Sequence, residues 1–321
     1  MNPSASAPRP SSKSAAGKVV QKPRSLPLKG VRILSLALNL PGPAALMRLR
    51  DMGATCVKLE PPSGDPMAHY SAAAYVPLHD GMKVLKADLK TEAGQKVLHR
   101  ELAKTDVLLT SFRPSAIEKL GLGWKKMHKL YPSLSQVAIV GSPGERAEEP
   151  GHDLTYLADA GLVPGFELPA TLYADMSGSL LASEAVLKAL LQRHASGKGV
   201  FAEVALSESA AYLALPRQWG LTTPDGMVGG AHAGYSIYPC KDGRVAVAAL
   251  EPHFAKSLCA AAGVTDAGPR TLLSPAARQA VADFLLAQTR AQLDRLAAAN
   301  DIPLHTLKNT ASPKKPARAR A

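Results

Sequence analysis

Cysteine is scarce in this chain. Cys56, Cys240 and Cys259 are its 3 cysteines in 321 residues, and no two of them form a C-x-x-C pair. That count excludes a disulfide framework, and the spacing excludes a zinc ribbon. Long apolar runs are missing as well. None approaches the roughly 18–20 residues that span a bilayer, so no membrane partner is expected. The opening MNPSASAPRPSSKSAAGK has no apolar core of the kind a secretory signal carries. A reducing, cytoplasmic setting is the expectation. G-x-G-x-x-G, G-x-x-x-x-G-K-[ST] and G-x-S-x-G do not occur, which removes support for a dinucleotide site, a P-loop and a nucleophile elbow.

The composition that remains is globular, with 46% hydrophobic and 20% charged residues, in a length suited to two domains. Disorder throughout and a collagen-like repeat are thereby excluded. The net charge of +12 is unevenly placed. Arg9, Lys13, Lys18, Lys22, Arg24 and Lys29 give +6 to residues 1–30 with no acid, and Lys314, Lys315, Arg318 and Arg320 give +4 to residues 311–321, leaving +2 between them. Both tails are rich in Pro, Ala and Ser, and 1–25 and 311–321 are expected to be disordered. They read as solubilising segments with no specific nucleic-acid partner, although such tails touch phosphates weakly.

From Leu26 the texture is regular. GVRILSLAL (30–38) reads as a strand, NLPGP as a break, AALMRLRDMGA (44–54) as a helix ending at Gly53, and TCVKLEPP as a second strand. VLKADLK, TEAGQKVLHRELAKT, DVLLTSFRP, the helical stretch 117–132 and SLSQVAIVGSPG continue the alternation. Alternating strands and helices predict a doubly wound α/β domain with ligands beyond the carboxyl ends of its strands. Later come a long helix over 178–194, a hairpin about Lys241-Asp242-Gly243 and an Ala-rich helical stretch. The expected division is a doubly wound α/β domain over 26–190, linking helices over 191–219, a smaller α+β domain over 220–285 and a C-terminal helical segment over 286–310.

Three residues draw attention on local grounds. Asp175 stands by the start of the long helix, where free amides favour a carboxylate, and its ordinary reading is an N-cap. His152 follows a Pro-Gly turn, and its ordinary reading is a surface loop histidine. Glu251 ends the strand VAVAAL before Pro252, at the kind of strand end where clefts gather. Local chemistry leaves all three open.

The stretches LPLKGVRILSLALNLPGPAALMRLRDMGATCVKLEPPSGDP, ADLKTEAGQKVL, DVLLTSFRPSAIEKLGLG, PGHDLTYLADAGLV, LYADMSGSLLASEAVLKALLQRHASGKG and YPCKDGRVAVAALEPHF resemble, in this order, the family III CoA-transferases, which include the α-methylacyl-CoA racemases. The resemblance implies an α/β fold with a Rossmann-like large domain and a smaller α+β domain, an interlocked homodimer, and acyl-CoA substrates. No tightly bound cofactor and no metal are implied; coenzyme A enters as part of the substrate.

Gly151-His152-Asp153, Asp175 and Glu251-Pro252 resemble the racemase pattern more closely than that of the transferases. It implies epimerisation of 2-methylacyl-CoA thioesters by two bases, His152 and Asp175, with Glu251 as a supporting acid. The alternatives are CoA transfer through an aspartyl-CoA intermediate on Asp175, or a non-catalytic family member, since relatives continue beyond IPLHTLK. By the same resemblance Lys58, Ala87, Asp88, Leu89, Lys90, Ser111, Phe112, Arg113 and Lys119 would bind CoA. Gly151, Asp153, Leu154, Thr155 and Tyr156 would run beside the thioester. Two stretches depart from the pattern: HDGMKVLK leaves only Lys83 and Lys86 of a basic run, and GSPGERAEEPG replaces a longer glycine-rich loop.

Overall fold

The computed structural model describes residues 26–265, 268 and 270–308, so the tails expected at 1–25 and 311–321 lie outside the described residues. Within these limits the chain forms two compact units, one of residues 26–159 and 165–209, the other of 160–164 and 210–308.

The first unit is built on six strands: β1 (Arg32–Ser35), β2 (Thr55–Glu60), β3 (Lys83–Lys86), β4 (Val107–Thr110), β5 (Ser135–Val140) and β6 (Phe201–Ala205). Their order is β3-β2-β1-β4-β5-β6 and every pairing is parallel. A parallel sheet covered on both faces needs strands apolar on both sides, and VLLT of β4 and SQVAIV of β5 are buried at every position. The helices are α1 (Pro41–Asp51), α2 (Pro66–Tyr70), α3 (Ala72–His79), α4 (Glu92–Leu102), α5 (Pro114–Lys119), α6 (Trp124–Leu130), α7 (Asp153–Asp159) and α8 (Tyr173–Ser196).

One face of the sheet presents Leu34, Val57, Leu59 and Leu108 to Leu98 and Leu102 of α4, Ile117 of α5 and Met127 of α6. Strand residues alternate between faces. Cys56 therefore points the other way, and its Sγ lies 3.8 Å from the Leu46 carbonyl oxygen of α1. The long α8 packs on α1 and on β4, β5 and β6.

Several local expectations shift by a few residues for identifiable reasons. α1 begins at Pro41, earlier than the apolar spacing suggested, because proline suits the first helical turn. Gly42 is required there: a Cβ on it would lie 2.2 Å from that of Ala37. The stretch 117–132 is not one helix but α5 and α6, interrupted where Gly121 turns at φ 76°. The boundary placed at 190 also moves. α8 runs on to Ser196, and β6, in the segment read as linking helices, is the edge strand of the large sheet.

The second unit holds an antiparallel sheet of β7 (Tyr235–Cys240), β8 (Gly243–Ala248) and β9 (Leu304–Leu307), in the order β7-β8-β9. Around it lie α11 (Pro252–Ala261), α12 (Pro275–Leu286) and α13 (Arg290–Asn300), while α9 (Leu206–Leu213) and α10 (Leu215–Gln218) precede them. Val245, Leu258, Val281, Leu285 and Leu293 are fully buried at its centre. The segment 286–310, read as helical, also supplies β9, so the smaller fold reaches beyond 285. Among the described residues no helix is long and apolar enough to cross a membrane.

Leu108 is fully buried in β4 at the centre of the larger core. Leu108→Ala is expected to cost about 2–5 kcal/mol, the range for a buried leucine whose site cannot collapse. Urea denaturation followed by circular dichroism measures it, and a loss near zero would show that β4 is not packed as described.

Candidate active site

The strand order reverses between β1 and β4, and a crevice is expected outside the carboxyl ends of such a pair. A cavity of about 670 Å³ occupies that place in the first unit. Leu38, Asn39, Leu40 and Pro41 after β1 line it, with Ser111, Phe112 and Arg113 after β4, Gly141 after β5, the segment from Gly151 to Leu154, and Tyr70, Tyr156, Leu172 and Asp175.

His152 and Asp175 thus face one cavity. His152 precedes α7 and is tied down by its own backbone: its N–H donates to Thr155 Oγ1 at 3.0 Å, and its carbonyl accepts from Thr155 Oγ1 at 2.8 Å. The imidazole is left exposed. Asp175 is not the N-cap of α8 but sits inside its first turn, Leu172 holding the cap position without a side-chain bond. Its backbone N–H donates to Asp153 Oδ1 at 3.0 Å, and Asp153 is buried. Burial pushes the Asp175 carboxyl up to about 6, the Asp153 charge adds to the rise and His152 opposes it.

Tyr156 lines the cavity with this pair. A Cβ on Gly141 would lie 2.3 Å from its hydroxyl oxygen and one on Gly151 would lie 2.5 Å from it, so both positions must be glycine. Burial raises the Tyr156 phenol, and Asp175 reinforces the rise against the pull of Arg113.

Of the residues assigned to CoA, Ser111, Phe112, Arg113, Gly151, Asp153, Leu154 and Tyr156 line the cavity together. Thr155 is outside that lining and bonds the His152 backbone. Ala87, Asp88, Leu89 and Lys90 follow β3, away from the lining; Ala87 and Leu89 pack on the core and Asp88 Oδ1 accepts the Lys90 N–H at 3.0 Å. Lys119 is exposed at the end of α5. Glu251 belongs to the second unit, where it is exposed at the N-cap of α11.

Lys58 requires a correction. It is fully buried, and its ammonium is held by Asp65, by Glu60 Oε1 at 3.2 Å and by His79 Nε2 at 2.7 Å. A cation enclosed in this way has no free face for a phosphate. Glu60, Asp65 and His79 also form a metal-like donor set, with ligand atoms within 4.8 Å of one another. The ammonium already supplies the positive charge that this set needs.

Sequence reasoning passed over Asn39 and Tyr70, which line the cavity, and Glu148, which is outside the lining but ties the loop that carries Ala147 and Glu149 to Ser115. Asn39 lies in the NLPGP break directly after β1, a place that the switch-point rule marks for ligands. Glu148 was hidden in the shortened loop. Its carboxylate accepts from Ser115 N at 2.6 Å and Oγ at 2.8 Å, bonds that hold it below the usual range with help from Arg113 and Lys119.

A sequence model of CoA-transferase family III matches residues 28–316. The chain belongs to that family. It is 29% identical to the human alpha-methylacyl-CoA racemase over 287 residues, covering 83% of this chain and 73% of the racemase. It is 33% identical over 207 residues to a protein of Mycobacterium tuberculosis named "Probable fatty acyl-CoA transferase"; the match covers 57% of this chain and 51% of that one, so the chain spans about half the length of this relative. A crystal structure from M. tuberculosis superposes with a TM-score of 0.74 at 26% identity, covering 88% of this chain and 84% of that one. Racemases and CoA-transferases of the family stand at similar identity, so identity does not choose the reaction.

Asp175 carries a pH signature. A carboxyl whose folded pKa lies above its unfolded value binds its proton more tightly when folded, so stability falls as pH rises from 3.8 to about 6. Asp175→Asn removes that loss and is expected to raise stability at pH 7.5 by at most about 3 kcal/mol, with little gain at pH 4. Thermal unfolding at the two pH values measures the difference; an equal gain at both would contradict the raised pKa.

Proposed function

We propose that this protein epimerises the α-carbon of 2-methylacyl-CoA thioesters. The observation that carries the reading is that His152 and Asp175 line one cavity, with Asp175 holding its proton up to near-neutral pH. Inversion requires removal of the α-proton from one face and return of a proton to the other. A carboxyl with a pKa of about 6 is matched to that exchange near neutrality, and the imidazole is the second group able to carry a proton. One of them takes the α-proton and leaves an enolate on the thioester; the other, already protonated, delivers its proton to the opposite face. With the other hand of substrate the roles exchange. Backbone amides along the cavity bear the charge on the thioester oxygen.

In this reading Ser111, Phe112, Arg113 and the segment 151–156 receive the thioester and the CoA moiety, which arrives with the substrate, and no separate cofactor takes part. Glu251 serves as a supporting acid in an interlocked homodimer. The strand order of the first unit supports describing it as Rossmann-like. The free, buried Cys56 and Cys240 fit a reducing cytoplasm.

A second reading has a specific support in the acyl-CoA transferase name of the mycobacterial relative. There the Asp175 carboxylate attacks the thioester carbonyl and expels CoA thiolate, giving a mixed anhydride. The thiolate then attacks the aspartyl carbonyl and releases the free acid, leaving an aspartyl-CoA thioester.

Proton exchange at the α-carbon in heavy water separates the two readings, because epimerisation needs no acceptor acid. His152→Ala is expected to depress exchange from one epimer and Asp175→Ala from the other, each by about 10²–10⁴-fold. NMR of a 2-methylacyl-CoA in deuterated buffer reads both epimers. If Asp175→Ala abolishes turnover and His152→Ala is silent, the transferase reading replaces this one.

A further inference from the structure

The loop that lines the cavity after β1 holds an unusual backbone. Asn39 has φ 61°, in the left-handed region that residues with side chains seldom adopt. Two side chains hold the loop there. Ser111 Oγ accepts the Leu38 N–H at 3.0 Å, and both carboxylate oxygens of Asp65 accept the Asn39 N–H, at 3.1 and 3.2 Å.

Asp65 does a second task. It is the N-cap of α2, accepting the Met67 N–H at 2.9 Å, and α2 ends at Tyr70. Tyr70 lines the same cavity, and its hydroxyl donates to Asn39 Oδ1 at 3.4 Å. Two parts of the cavity wall, from different loops, therefore hang on one carboxylate.

That carboxylate is fully buried, which demands a charged partner. Lys58 provides it from β2, and the surroundings leave the ammonium little freedom. Glu60 Oε1 accepts from Lys58 at 3.2 Å and from the Tyr75 hydroxyl at 2.8 Å. His79 Nδ1 donates to the Tyr75 carbonyl at 2.7 Å, so the neutral ring turns its Nε2 lone pair to the ammonium. Burial and the Lys58 charge both keep His79 neutral. A buried ion pair is a poor source of stability compared with apolar packing, but it fixes direction. Here the direction is toward the cavity loop.

We propose that Asp65, anchored by Lys58, is a positioning residue of the acyl-CoA cavity that sets Asn39 and Tyr70 against the bound thioester. The proposal rests on the acyl-CoA reading above. Asp65→Asn keeps the size and one acceptor oxygen but removes the charge that grips the loop and Lys58. Acetyl-CoA binding to the full chain is measured by isothermal titration, with thermal unfolding on the same samples. Asp65→Asn is expected to weaken binding about tenfold or more, the scale on which misplaced groups act, while Leu108→Ala, destabilised away from the cavity, keeps wild-type affinity. Wild-type affinity in Asp65→Asn, or a loss shared equally by Leu108→Ala, overturns the proposal alone. Failure of the wild type to bind overturns it together with the acyl-CoA reading. If Asp65→Asn does not fold, amide exchange in the wild type decides. The Asn39 N–H is expected to exchange at least about 100-fold more slowly than an open amide, and unprotected exchange overturns the proposal.

Discussion

β1 and β4 are neighbours in the sheet, yet the chain leaves them toward opposite edges, and the crevice between their outgoing loops is the constraint on which the site depends. The strands contribute little to that gap beyond Ile139 and Val140 at the end of β5, because their side chains are committed to the two faces of the sheet. Outgoing loops line it instead: residues 38–41 after β1, residues 111–113 after β4, and the segment leading into α7. The packing of α8 against α1 and the sheet then brings the first turn of α8, with Asp175, to the same opening.

Burial gives this opening its chemistry. Asp175 is only partly exposed and sits near a second buried carboxylate, Asp153, so its charged form is disfavoured twice over. The Asp153 side chain is also the acceptor for the Asp175 backbone N–H. The same contact that places Asp175 therefore also adjusts its proton affinity. His152, fixed by reciprocal bonds with Thr155, supplies the compensating positive influence without leaving solvent.

A different solution operates over residues 58–79, behind the cavity wall. Lys58 there is enclosed among Glu60, Asp65 and His79, and charge is balanced inside the protein. The two clusters divide the work. One keeps its ionisable groups open to the cavity, and the other uses fully paired charges to hold backbone in place.

Much of the first unit is legible in the sequence, because strand and helix periods are local properties of the chain. The alternation from Val31 to Val140, the break at NLPGP and, in the second unit, the hairpin at Lys241-Asp242-Gly243 come from the order of residues, while the pairing of His152 with Asp175 as candidates comes from the resemblance to the family. What the order of residues leaves open is which distant groups meet. Lys58 looks like a phosphate ligand at a strand end until Asp65, His79 and Glu60 are seen to close around it. Phe201–Ala205 reads as a connection until it pairs with β5, and Leu304–Leu307 until it pairs with β8. The proton affinity of Asp175 is likewise absent from its local sequence. Desolvation and the Asp153 charge exist only once α7 and α8 pack together, since both fall off over a few ångströms and depend on what excludes water.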